Sequence, residues 1–204
     1  MGSPVIEPLE IRERLIAAAM HILDEHGPAE LTVRRVAEAA GSSTMGIYSR
    51  FGGRAGMLEA VYRRGFEQLR DAISAVAPEE PPGRILSIAH AYRRFALAGP
   101  ARYAFSFERP VPDFDPAPDL RREALAMAFT PLVDAVAAAQ RAGVLAGTEP
   151  VRPAYLIWTM LHGVTSIELT HASRSPLPGW FLDSPDAGAA VLTDGLQAVL
   201  SGLR

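Results

Sequence analysis

The sequence predicts an all-α protein. Apolar residues recur at spacings of three and four through most of the 204-residue chain, which is the period of a helix with one buried face. No segment alternates apolar and polar residues as a half-buried strand does. Clusters of glycine and proline separate the periodic segments, as expected for turns between helices. We therefore expect an N-terminal three-helix domain followed by a C-terminal helical bundle.

The first predicted helix carries one apolar stripe and ends at Gly27-Pro28. Ile11, Leu15, Ala18 and Ile22 share one face at helical spacing, and a glycine followed by proline stops a helix. We expect this helix to support the segment that follows it.

The segment from Leu31 to Phe51 begins with a short helix. Thr32 is suited to cap that helix, because its hydroxyl can accept a hydrogen bond from a free backbone N–H group. The apolar residues that follow recur at helical spacing on one face: Val33, Val36, Ala37 and Ala40. Gly41 can then adopt the left-handed conformation that ends a helix.

A second short helix follows after a tight turn. Ser42 and Ser43 can cap this helix, and its spacing directs Ile47 inward. Two short helices joined in this way predict a helix-turn-helix, which reads DNA with its second helix. The alternative is an ordinary helical hairpin. The residues expected to contact DNA are Thr32, Arg34, Ser43, Thr44, Met45, Tyr48 and Arg54, whose polar or flexible side chains suit base edges and phosphates.

This segment resembles the DNA-binding domain of the tetracycline-repressor (TetR) family of bacterial regulators. The matching positions are Leu31, Thr32, Val36, Ala37, Ala40, Gly41, Ser43, Tyr48, Phe51 and Leu58, with Arg54 where the family usually has lysine. The chain departs from the pattern at Ser42, at Gly46 and at Gly53-Arg54-Ala55. The resemblance implies a homodimer that binds a double-stranded, palindromic operator, commonly as a repressor, and leaves it when a small-molecule effector binds.

Charge is concentrated on the predicted DNA-binding segment. Residues 31–70 contain seven arginines and three glutamates, whereas residues 71–204 contain 11 arginines and 14 acidic residues. A local excess of positive charge favours phosphate binding through counterion release. Arginines that only solvate helix faces are the alternative, which we favour for Arg63, Arg64 and Arg70.

Five further helices are predicted after a long fourth helix at about 54–76, which would connect the DNA-binding domain (residues 1–53) to a ligand-binding and dimerisation domain (54–204). The Pro/Glu-rich stretch 77–82 marks a boundary. The later helices are expected at about 83–98, 101–108, 118–142, 151–172 and 186–202, with loops at 110–118 and 173–185.

The C-terminal domain carries large apolar side chains with a few polar tips, a mixture that suits a small-molecule cavity. The residues expected to bind a ligand are Tyr92, Phe95, Phe105, Met127, Tyr155, Trp158, His162 and Thr165. Trp158-x-x-x-His162-Gly163 resembles one C-terminal class of the same family. Pro131 and Gly163 are expected to loosen their helices and open space. We predict an apolar or aromatic effector with one polar group. Ordinary core packing is the alternative for each residue.

Two helices near the end of the chain are expected to form a dimer interface, and the resemblance implies that the eighth and ninth helices make a four-helix bundle with their copies. The apolar seam that suggests this interface lies on the last helix. Leu192, Leu196, Val199 and Leu200 form an apolar seam, and pairing would place two DNA-reading helices about 34–36 Å apart, matching successive major grooves. The alternative is that this helix packs only on its own domain.

Several other functions are disfavoured by the sequence. The chain has no cysteine and no lysine, which excludes thiolate catalysis, P-loops and Schiff bases. The histidines have no metal-site spacing, so we predict no metal, no cofactor and no enzymatic activity. A small all-helical enzyme and a non-specific architectural DNA-binding protein stay as alternatives. No targeting signal or bilayer-spanning segment is recognised, so the protein is expected to be cytoplasmic and not bound to a membrane.

Overall fold

Nine α-helices and one short 3-10 helix make up the described part of this computed structural model, which covers residues 8–77, 79–171 and 184–204. No strand occurs in these ranges. The 3-10 helix spans Pro28–Glu30. The α-helices are α1 (Pro8–His26), α2 (Val33–Ala39), α3 (Thr44–Phe51), α4 (Arg54–Ser74), α5 (Gly83–Ala98), α6 (Pro100–Phe107), α7 (Pro118–Arg141), α8 (Val151–His171) and α9 (Pro185–Gly202). The all-α prediction is confirmed, while most of the loop predicted at 173–185 lies outside the described residues.

The helices group into two compact units. The first unit contains the chain up to Glu67 together with Gly99–Ala124, and the second contains Gln68–Ala98 and Leu125–Arg204. Helix α4 therefore contributes its first two-thirds to one unit and its last turns to the other. The functional division predicted at residues 53 and 54 stays a prediction.

The core of the first unit holds the predicted helix-turn-helix in place. Helix α1 packs on α2 and on α6, and α2 packs on α3. Leu15 and Leu23 of α1, Val36 of α2 and Ile47 of α3 are completely buried. Burying such aliphatic side chains contributes about 1.5–3 kcal/mol each. The spacing that predicted α1 as a supporting helix therefore corresponds to a packed face.

Aromatic side chains form a second cluster in the first unit. Phe105 of α6 lies parallel to Phe114, with 5.5 Å between ring centroids, and Tyr62 of α4 meets both rings edge-on. Burial raises the pKa of the Tyr62 phenol. Phe105 was predicted to bind ligand together with seven residues that all belong to the second unit. Phe105 packs beside Tyr62 of α4, and its predicted contact with a ligand stays a prediction.

The second unit is built on α8, which packs mainly on α9 and also on α5. Ile88 of α5, Ile157 and Leu161 of α8, and Leu192 and Leu196 of α9 are fully or almost fully buried. This core joins α5 to the last two helices of the chain, and all three pack against one another.

Candidate nucleic-acid interface and ligand-sensing residues

The turn between α2 and α3 is built from the caps that the sequence predicts. Thr32 caps α2 and accepts a hydrogen bond from the backbone N–H of Arg35 at 3.3 Å. Gly41 has a φ of +58°. Its N–H donates to the Glu38 carbonyl, and the N–H of Ser42 donates to the Ala37 carbonyl. This double closure is a Schellman motif, in which a left-handed residue satisfies the last carbonyls of a helix.

Helix α3 presents a polar and flexible face. Ser43 caps this helix by accepting from the N–H of Gly46 at 3.2 Å, which confirms the predicted cap. Thr44 is exposed, and Met45 and Tyr48 are 70% and 55% exposed. Large side chains left in solvent on a short helix, opposite the completely buried Ile47, are suited to contact another macromolecule.

The start of α4 lies next to this face. Gly52 and Gly53 both have positive φ values, +73° and +130°, which a residue with a side chain adopts only at a cost. A Cβ atom on Gly53 would lie 3.5 Å from Cε1 of Tyr48. The glycine pair therefore turns the chain tightly enough to bring the first turn of α4 beside the Tyr48 ring.

Arg54 begins α4 and has two partners within the first unit. Its Nε donates to the carbonyl of Leu31 at 3.3 Å, and its Nη1 donates to Oδ2 of Asp113 at 2.6 Å. The guanidinium therefore ties the first turn of α4 to the entrance of α2. Its predicted contact with phosphate stays a prediction.

The arginines near the predicted interface differ in how far they are neutralised. Arg34 is exposed and forms no ion pair with the described residues. Arg35 pairs with Glu30, and Arg64 pairs with Glu13 and Glu67. Arg63 pairs with Glu123, and this hydrogen bond lowers the pKa of the Glu123 carboxyl and raises that of Arg63. Arg34 is the least compensated of these charges.

One residue that supports α2 was not predicted from the sequence. Nη2 of Arg14 on α1 donates to the carbonyl of Ala40, at the C-terminal end of α2, at 2.6 Å. A cation at the last carbonyls of a helix stabilises it. No local pattern pointed to Arg14, because its acceptor lies 26 positions away.

In the second unit, several predicted ligand-binding residues come together. The Tyr92 hydroxyl and Nδ1 of His162 lie 2.9 Å apart. The Trp158 ring lies 5.4 Å from the His162 ring and 5.7 Å from that of Tyr155. Phe129 of α7 meets Tyr155 and Trp158 edge-on. These residues form one aromatic and polar cluster.

The other predicted ligand-binding residues vary in burial. Phe95 is almost completely buried, whereas Met127 is half-buried. Thr165 is fully buried, and its hydroxyl has no hydrogen-bond partner among the described residues. A buried hydroxyl without a partner carries a desolvation cost that a ligand or water can remove.

A buried ion pair lies on the same helix as this cluster. Arg93 of α5 donates to both carboxylate oxygens of Glu168 on α8, at 2.8 and 2.5 Å. The charge of the Glu168 carboxylate is therefore compensated by Arg93.

One cleft of about 700 Å³ lies elsewhere in the second unit. Its lining includes Val76, Glu79, Arg84, Pro131 and Asp134. Pro131 borders this cleft, but no residue of α8 and none of the eight predicted ligand-binding residues lines it.

The predicted dimer residues pack mostly within their own chain. Leu192 and Leu196 are completely buried, Leu200 is nearly so, and Val199 is half-buried. Side chains buried in this way offer little surface to a second copy. Exposed large apolar residues lie instead on α8: Val151, Tyr155, Leu156 and Ile167. The predicted interface residues stay a prediction.

Two further features bear on the kind of protein. None of the described helices combines the length and hydropathy needed to cross a bilayer. Across the same residues, His, Asp and Glu side chains form no group of three that could hold a metal ion.

Two family models match the chain. Residues 15–61 match a model described as bacterial regulatory proteins, tetR family, and residues 85–195 match a tetracyclin repressor-like C-terminal domain. The second match alone covers more than half of the chain. It also includes the cluster around Trp158 and His162.

Individual proteins give similar results. The chain is similar to the HTH-type transcriptional regulator BetI 2 of Chromohalobacter salexigens, with 37% identity over 117 residues. The matched region covers 52% of this chain and 56% of that protein. The chain thus spans little more than half the length of this curated relative. A solved protein from Rhodococcus sp. RHA1 superposes with a TM-score of 0.75 at 26% identity, covering 100% of this chain and 96% of the other. The putative regulatory protein SCO4313 superposes at 0.72 and 27% identity, covering 95% and 97%.

Proposed function

The chain belongs to the TetR family of bacterial regulatory proteins, and we propose that it is a transcription regulator that binds operator DNA and is released by a small-molecule effector. The observation that carries this proposal is the exposed face of α3, with Thr44, Met45 and Tyr48. The Schellman turn and the buried Ile47 hold that face outward. A rigid helix with exposed side chains is the geometry by which a helix-turn-helix enters the major groove.

The proposed DNA contacts divide into two kinds. Ser43, Thr44 and Met45 meet base edges in the major groove, where the Met45 side chain contacts thymine methyl groups. Tyr48, Thr32, Arg34 and Arg54 contact phosphates and fix the position of the protein on the duplex. Phosphate contacts make the affinity strongly dependent on salt.

A homodimer is proposed because two α3 helices must reach successive major grooves on a two-fold operator. The exposed apolar residues of α8 support this. Val151, Tyr155 and Ile167 are 52%, 54% and 44% exposed, and apolar patches of this kind mark interaction surfaces. Leu192 and Leu196 would then hold α9 against α8, with α8 supplying much of the contact to the second copy. Light scattering at micromolar concentration tests this directly, and a monomeric mass would contradict it.

The proposed effector site is the cluster of Tyr92, Tyr155, Trp158 and His162. Aromatic rings that surround a hydrogen-bonded tyrosine–histidine pair suit an apolar or aromatic molecule with one polar group. Such an effector shifts the protein away from DNA only if it binds more tightly to a conformation whose DNA-reading helices do not match the operator. We propose repression as the regulatory outcome and the cytoplasm as the location.

The DNA-binding proposal is tested by fluorescence anisotropy with duplexes from upstream of the protein's own gene and with a scrambled duplex. Tyr48→Phe is compared with Thr130→Val, which also removes one exposed hydroxyl but lies on α7 of the second unit, outside the proposed DNA, effector and dimer contacts. We expect Tyr48→Phe to weaken binding about ten- to 150-fold, as for loss of one hydrogen bond to a charged acceptor, and Thr130→Val to leave it unchanged. Equal, weak binding to every duplex would favour a non-specific DNA-binding protein.

The effector site is tested through Trp158 fluorescence in a Trp180→Phe background. A molecule that releases DNA is expected to change this emission, and Trp158→Ala and His162→Ala are expected to abolish the release. If both variants release DNA as the unchanged protein does, the effector site lies elsewhere.

A further inference from the structure

We propose that Asp113 competes with DNA for Arg54, so that the loop between α6 and α7 (residues 108–117) limits the affinity of this protein for nucleic acid. The inference rests on the proposed function, because it concerns the same phosphate contact. Asp113 and Arg54 are 59 positions apart in the sequence.

A carboxylate accepts from the Arg54 group that the proposed phosphate contact would use. Oδ2 of Asp113 accepts from Nη1 of Arg54 at 2.6 Å, the length of a strong charge-assisted hydrogen bond. A guanidinium pairs with carboxylate and phosphate through the same donors. A phosphate that approaches Arg54 must therefore displace Asp113 or stand beside its negative charge.

A second hydrogen bond holds the Arg54 side chain near the proposed phosphate-binding residues. Its Nε donates to the Leu31 carbonyl immediately before the Thr32 cap of α2. The preceding residue, Gly53, lies against the Tyr48 ring. The Arg54–Asp113 pair therefore lies beside the proposed phosphate-binding residues of the same unit.

Packing holds the loop in place. Val111 and Phe114 are buried on either side of Asp113, and Phe114 stacks on Phe105 and meets Tyr62. Asp115 pairs with both Arg109 and Arg121. The buried neighbours and these ion pairs hold the loop so that it presents Asp113 toward Arg54.

The ion pair is nevertheless accessible enough to be exchanged. The Asp113 side chain is 71% exposed and that of Arg54 is 33% exposed. Exposed ion pairs are weak and are screened by salt. Exchange of a carboxylate for a phosphate is therefore energetically accessible, but the negative charge of Asp113 opposes it. Removing that charge without changing the shape of the side chain isolates the effect.

The test measures anisotropy of the upstream duplex and of the scrambled duplex with Asp113→Asn. The matched control is Asp119→Asn, which removes the same charge from an exposed aspartate of the same unit that pairs with Arg122. We expect Asp113→Asn to tighten binding about two- to fivefold beyond the control, the range for an exposed ion pair. The gain is expected to vanish in an Arg54→Ala background. Thermal unfolding checks that each variant is folded.

Because every duplex carries phosphates, the gain is expected on both DNAs at low salt. Equal binding to the upstream and scrambled duplexes would contradict the proposed specificity. The effect of Asp113→Asn relative to Asp119→Asn can still be measured on both duplexes in that case. Equal effects of Asp113→Asn and Asp119→Asn on both duplexes would overturn the inference. Weaker binding by Asp113→Asn would also overturn it, since Asp113 would then orient Arg54 toward phosphate.

Discussion

Arg93 and Glu168 form a bidentate ion pair inside the second unit, with side chains only 9% and 3% exposed. The guanidinium of α5 reaches the carboxylate of α8 through two hydrogen bonds. Buried charges are tolerated when they are paired in this way. The pair therefore fixes how α5 and α8 meet, close to the cluster of Tyr92 and His162.

Breaking this pair is expected to destabilise the protein. Glu168→Gln keeps the shape of the side chain but removes the carboxylate charge that faces Arg93, and breaking a buried ion pair in this way costs about 3–5 kcal/mol. Urea unfolding followed by circular dichroism measures the loss. Glu123→Gln, in the exposed pair with Arg63, is the control and is expected to lose far less. Similar losses in both variants would contradict a special role for the buried pair.

Gly188 of α9 is expected to be intolerant of a side chain because of the same ion pair. A Cβ atom there would approach Cδ of Glu168 to 2.5 Å and Nη2 of Arg93 to 2.9 Å. Gly188→Ala is therefore expected to destabilise the fold by about 1–3 kcal/mol, as overpacking does. Gly202→Ala on the same helix meets nothing within 4 Å and is expected to be neutral or slightly stabilising. Thermal melts of both variants compare the two, and a stabilising Gly188→Ala would refute the prediction.

His90 is expected to make stability depend on pH. Burial, together with Arg94 and Arg93, lowers the pKa of His90 from the usual 6.5. The Oγ1 atom of Thr193 lies 3.2 Å from Nε2 of His90. Because the Thr193 hydroxyl donates its own proton to the Ala189 carbonyl, its oxygen can accept a hydrogen bond from neutral His90.

Between the lowered folded pKa and 6.5, the unfolded chain binds more protons than the folded one, so stability falls as the pH drops. Above pH 6.5 this group contributes no further change. Urea unfolding measures the free energy of unfolding between pH 7.5 and 5. Its decrease over this range is expected to be smaller for His90→Gln than for the unchanged protein. Identical pH profiles would show that His90 does not contribute.

Gly41 is expected to need its left-handed conformation. Its φ of +58° costs a residue with a Cβ about 1–2 kcal/mol, so Gly41→Ala should destabilise the protein by about that amount. Asparagine adopts this conformation more readily, and Gly41→Asn should lose less. Chemical unfolding of both variants measures the difference, and equal losses would point to side-chain size rather than backbone conformation.

Much of the fold was predicted from the sequence because its determinants are local. The caps Thr32 and Ser43 and the stop at Gly41 act within a few residues of one another. The predicted helices at 83–98 and 118–142 likewise match α5 and α7 closely. Helical periodicity also identified Ile47 as buried. The exposed face of α3 follows from these features alone.

The partners of individual side chains were decided by tertiary structure. Phe105 was predicted to bind ligand, and in the folded chain it packs with Tyr62 and Phe114. The leucines of α9 were predicted to meet a second copy, and Leu192 and Leu196 are buried within the chain. Both site assignments stay predictions. Periodicity identifies which face of a helix is apolar, but it does not specify which element covers that face.

Ion pairs between residues that are far apart in the sequence were not predicted either. Arg54 and Asp113 are 59 positions apart, and Arg93 and Glu168 are 75 apart. Each arginine has many acidic residues available in the chain, and only the packing of the helices selects one of them. The sequence by itself determined where the helices begin and end and which face of α3 is exposed, because those features depend on neighbours along the chain. Tertiary structure decided which charges are compensated, because ion pairing depends on distances that only the folded chain sets.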